Sequence, residues 1–141
     1  AEADAFFCFS TIMAEMGDVF TKHLDTHNTG LLGALEHMTD LVAKFDPELA
    51  QHLQSNDLSS SLYGLRWITT LMAREFPIPA VCRIWDTLFA DPKRFEFLTS
   101  FSVAIVRSAR EQLLSLNQMG CIELLNNSNF NNLPLTSNLN L

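Results

Sequence analysis

Basic residues are scarce in this 141-residue chain: nine Lys and Arg stand against sixteen Asp and Glu, a formal charge of −7. Those nine are scattered, so the electrostatic footprint of a DNA or RNA binder is missing. Cysteine is scarcer still. Cys8, Cys82 and Cys121 are an odd number at wide spacings, with no C-x-x-C pair and no secretory leader, and the expected setting is the reducing cytoplasm. Charges cut the apolar runs well short of the roughly 20 residues a bilayer span needs, so membrane association is expected only indirectly, through a partner. The five glycines, at 17, 30, 33, 64 and 120, form no phosphate-cradling loop. No G-x-S-x-G elbow occurs, and Cys8 and Cys82 fall in apolar helical surroundings expected to leave a thiol inert. Period-2 alternation of useful length is absent too, which excludes a sheet and leaves an all-α class.

What remains is apolar and helical. Hydrophobic residues make up 48% and charged residues 18%, rich for a chain about one domain long, and some of that surface is expected to be covered by another segment. Phe6, Phe9, Met13, Met16, Phe20 and Leu24 recur three or four apart, predicting a helix from Asp4 to about Leu24. Leu31, Leu35, Met38, Val42 and Phe45 repeat that spacing up to Asp46-Pro47, and Pro47 suits the first turn of a short third helix. After a polar loop at Ser55–Ser61, Leu62, Leu65, Ile68, Met72 and Phe76 predict a fourth helix ended by Pro77. Val81, Ile84, Trp85 and Leu88 mark a fifth, and Phe95–Leu116, apolar on most sides, reads as one central helix. About six to seven helices are expected over residues 1–125, followed by an Asn-rich tail, 126–141.

Two stretches imitate metal sites. Asp25, Gly30 and Glu36 have the outline of a calcium loop, but His27 and Thr29 stand where side-chain oxygens of Asp or Asn are required, so a turn between helices is the expectation. His23 and His27, four apart, lack a third ligand. No metal and no resident cofactor are expected.

The most specific stretch is Tyr63–Asp91, which holds both tryptophans and three arginines. Arg66, Trp67, Arg74 and Glu75 are placed on the fourth helix, and Arg83, Trp85 and Asp86 on the fifth, where Arg83 and Asp86 are spaced to pair. An arginine among apolar neighbours demands a carboxylate. For Arg66 the first choice is Asp86 and the second Glu75, a cluster that would fix the angle at the proline elbow.

This stretch, R-W-x(6)-R-E-F-P followed by R-I-W-D (Arg66, Trp67, Arg74, Glu75, Phe76, Arg83, Trp85, Asp86), resembles the third signature block of the TBC domain of Rab GTPase-activating proteins. Glu2–Phe20 is similar to the helix following that family's glutamine motif, and Gly30–Leu53 to the next two helices. The resemblance implies the all-α C-terminal half of such a domain, with two partners: the N-terminal half and a Rab small GTPase, which brings its own GTP and Mg²⁺. The family's fingers lie in I-x-x-D-x-x-R and Y-x-Q strings, and neither occurs here. The implied role is therefore a platform with no catalytic residue, cytoplasmic or peripheral to endomembranes. A non-catalytic TBC-like scaffold in membrane traffic is the alternative.

Overall fold

A computed structural model describes residues 1–20 and 30–126. His23, Leu24, Asp25, His27, Thr29 and residues 127–141 lie outside the described residues, and with them the calcium-like loop, the histidine pair and most of the Asn-rich tail. The described residues are helical without a strand: α1 Glu2–Phe20, α2 Gly30–Phe45, α3 Pro47–Ser55, α4 Gly64–Thr69, α5 Ile78–Ala90, α6 Arg94–Ser108, α7 Arg110–Ser115 and α8 Gln118–Asn126, with a 3₁₀ turn at Ser60–Leu62. The chain divides into two compact units, residues 1–34 and 35–141.

In the second unit the helices bury most of the stripes their spacing predicts, though Leu62 and Leu65 of the expected fourth are exposed. Leu35, Met38 and Val42 of α2 are buried, whereas Phe45 is exposed. Asp46 is the whole connection to α3: its carboxylate accepts the Leu49 N–H at 3.1 Å and Pro47 sits in the first turn. α3 packs on α7, α4 and α5 both pack on α6, and Leu98, Val103, Ile105 and Val106 of α6 are buried between them. Gly64 lets α4 approach α2, because a Cβ there would lie 3.0 Å from Leu35 Cδ2.

The helices depart from the sequence expectation at three places. The fourth helix ends at Thr69 instead of Phe76. Met72 N–H bonds to Trp67 C=O at 2.9 Å and Leu71 N–H to Ile68 C=O at 3.3 Å, a Schellman stop with Leu71 in the left-handed position at φ 49 and Met72 next at φ 62. Glycine is the usual occupant; here burial of Leu71 and Met72 offsets the backbone cost. The expected Phe95–Leu116 helix breaks at Ala109, which caps α6 and opens α7. α8 occupies residues the expectation had left unassigned, burying Cys121 and Leu125.

Candidate functional site

The early stop of α4 sets the geometry of the arginine–tryptophan stretch. Chain reversal through residues 70–76 brings Glu75 back beside Arg66, whose Nε donates to Oε1 at 2.6 Å and whose second guanidinium nitrogen donates to Oε2 at 2.7 Å. The Glu75 side chain is 0% exposed and that of Arg66 29%. The same Arg66 nitrogen donates to Asn126 C=O at 3.0 Å, taking up a carbonyl at the end of α8. This corrects the first sequence choice: Asp86 is exposed on α5 and does not partner Arg66. The fork matches a carboxylate edge-on, and the returning turn offers one.

Trp67 is fully buried and meets the Tyr63 ring edge-on at 5.1 Å. Trp85, half-buried, donates its indole N–H to Leu71 C=O at 2.8 Å, so α5 holds the left-handed turn by its carbonyl. The remaining signature residues part from this cluster. Arg74 lies in the turn, not on a helix, and is exposed; Arg83 and Asp86 are exposed on α5. Cys8 and Cys82 are exposed as well, so they do not lie in the apolar surroundings expected to leave a thiol inert.

A second cluster escaped the sequence reading. Arg110, at the start of α7, donates to Asp46 at 2.8 Å and to Glu48. The hydrogen bond to Asp46, foremost, holds the guanidinium pKa above its ordinary value. Asp46-Pro47 marked a helix cap, but nothing local tied it to a residue 64 positions on. Two other arginines are also engaged: Arg94 donates to Phe89 C=O at 3.2 Å and Arg107 stacks 5.6 Å from the Phe45 ring centre. Phe6, Phe7 and Phe9 on α1 are all more than 60% exposed, and Ile78 is 79% exposed. Among the described residues no group of three or more His, Cys, Asp or Glu is placed to hold a metal ion, and no helix is long and apolar enough to cross a membrane.

Comparison with known proteins agrees with the signature stretch. Residues 1–114 match the family model of the Rab-GTPase-TBC domain. The chain is similar to TBC1 domain family member 13 of Homo sapiens, 43% identical over 114 residues that are 81% of this chain and 28% of that protein. It is similar to a TBC domain-containing protein of Schizosaccharomyces pombe, 32% identical over 139 residues, 88% of this chain and 22% of that protein. GTPase-activating protein GYP1 of Saccharomyces cerevisiae is 27% identical over 103 residues, 73% of this chain and 15% of that protein. The chain thus spans less than a third of the length of these relatives. No solved structure matches it.

Proposed function

The chain belongs to the Rab-GTPase-TBC domain family, and on that premise we propose that it is the C-terminal half of such a domain, a helical platform for GTPase activation. It supports a finger-bearing N-terminal half and completes the surface that holds a Rab GTPase. The GTP and Mg²⁺ are the Rab's, the platform needs no cofactor of its own, and it meets membranes only through the Rab, from the cytoplasm.

The engagement of Arg66 and Arg110, with the absence of the finger strings, carries this reading. A supplied arginine accelerates phosphoryl transfer by ~10³ to 10⁵ because it reaches the charge developing on the transferring group. Arg66 and Arg110 are each gripped by carboxylates of their own chain, and reaching outward would break those bonds. No I-x-x-D-x-x-R or Y-x-Q string surrounds any arginine or glutamine here. The signature residues then divide by geometry. Arg66, Trp67, Glu75 and Trp85 fix the elbow between α4 and α5, while Arg74, Arg83 and Asp86 are the candidates for touching the Rab. The exposed phenylalanines of α1 supply apolar surface for the N-terminal half.

A phosphate-release assay over a panel of GTP-loaded Rab proteins tests this. The chain alone is expected to leave hydrolysis at its intrinsic rate, and addition of the N-terminal half to restore stimulation. Stimulation by the chain alone would place a finger within it. Failure of the reunited halves, with binding retained, would favour the scaffold.

A further inference from the structure

A crevice of ≈ 450 Å³ opens between α2 and α3, within the second unit. Its origin is local. The two helices share the one-residue corner at Asp46, and inside that corner Ala43 and Ala50 present single methyl groups that leave the space unfilled. Val42, Leu53 and Leu58 complete an aliphatic wall, a volume and lining of the kind that receives apolar groups.

The polar groups of the crevice are specific. Thr39 and Ser60 line it, but their hydroxyls are 3.0 Å apart and both turn to Leu35 C=O, so their protons are already engaged. Tyr63 differs. It lines the crevice, is 3% exposed, and its hydroxyl makes no hydrogen bond to any described residue. That O–H is left to donate, and a visiting carbonyl is a natural acceptor for it. The rim carries Asp57, and no Lys, Arg or His lines the crevice, so a cation beside the apolar group is favoured.

We propose that this crevice binds a short segment of another protein in which an apolar side chain of leucine size is followed by lysine or arginine. The aliphatic side chain lies against Val42, Ala43, Ala50 and Leu53. The segment's backbone carbonyl accepts from the Tyr63 hydroxyl, and its cation meets Asp57.

The test uses the full chain with labelled alanine methyl groups and a capped tripeptide, Ala-Leu-Lys, followed by nuclear magnetic resonance; no GTPase is present, so the outcome is independent of the activator reading. The Ala43 and Ala50 methyl signals are expected to shift saturably. A capped Ala-Leu-Glu probe should bind at least tenfold more weakly, and Asp57→Asn should erase that difference. Tyr63→Phe, which keeps the ring, should weaken the lysine probe several-fold, and Ala43→Leu, at an exposed helical position, should abolish binding with circular dichroism unchanged. Equal binding of the two probes would overturn the proposal. So would unmoved Ala43 and Ala50 signals, unchanged binding by Ala43→Leu, or complete exclusion of the probe by an added N-terminal TBC half, which would make the crevice a seam inside the domain.

Discussion

Arg66 and Glu75 face each other across the one reversal in the described chain that uses two consecutive left-handed residues, Leu71 and Met72. The pair is thus a clasp on a turn that the backbone alone disfavours. Trp85 closes the turn from the other side through Leu71 C=O, and Arg66 extends the clasp to α8 through Asn126 C=O. Sequence-distant elements converge on one guanidinium, and it follows that the signature residues RW and REF are needed together.

Arg66→Ala is therefore expected to cost about 3–5 kcal/mol, since it removes the forked cation from the fully buried Glu75 carboxylate. Arg66→Lys retains the charge but not the fork, and should fall between Arg66→Ala and wild type. Arg74→Ala, on an exposed side chain in the same turn, should stay within about 0.5 kcal/mol. Arg94 is not a suitable exposed control, being half-buried and bonded to Phe89 C=O. Urea unfolding of the three variants decides it; equal midpoints for Arg66→Ala and Arg74→Ala would show that the clasp contributes nothing.

Stability should extend beyond the residues that match the family. The match ends at 114, yet Cys121 and Leu125 are fully buried and Asn126 meets Arg66. Ending the chain at Asn117 removes α8 and exposes the surface it covers. Burying one large aliphatic side chain is worth about 1.5–3 kcal/mol, so a loss of at least that size is expected from Leu125 alone. Matching denaturation curves for chains ending at 117 and at 126 would contradict this.

The sequence made the helical class and most buried stripes legible because both rest on spacing: Leu35, Met38 and Val42 recur at helical period and are buried. The same spacing misled at Met72 and Phe76, which continue the stripe of α4 through a turn that no glycine announces. Glu75 was named as a partner for Arg66 but ranked second; on one continuous helix the two would lie far apart along the axis, and the stop at Thr69 is what brings them together. The Asp46–Arg110 pair and the α2–α3 crevice were illegible for different reasons: the pair depends on how helices distant in sequence meet, the crevice on small side chains at the corner between neighbouring helices.

The cysteines should separate in reactivity by burial. Cys8 and Cys82 are exposed, and a thiol reagent is expected to modify both in the folded chain. Cys121 is buried, donates toward Leu113 C=O at 3.4 Å, and burial raises its pKa, leaving little thiolate. Two equivalents should react quickly and the third only at the rate of unfolding. Three fast equivalents would show that α8 opens freely.

The single tyrosine supplies the last prediction. Burial pushes the Tyr63 phenol well above its ordinary value of 10.0, with desolvation as the cause. The folded state therefore holds this proton more tightly than the unfolded state does. Tyr63's contribution is fully present below about pH 10, and stability falls as pH rises past it, because the unfolded chain releases a proton that the folded chain keeps. Tyr63→Phe has no such proton and should lose less stability over the same alkaline range. As no other tyrosine contributes, tyrosinate absorbance reports on this residue alone, and it should appear together with the loss of helical circular dichroism. Tyrosinate forming near pH 10 in a chain that is still helical would show that the phenol is solvated in the folded state.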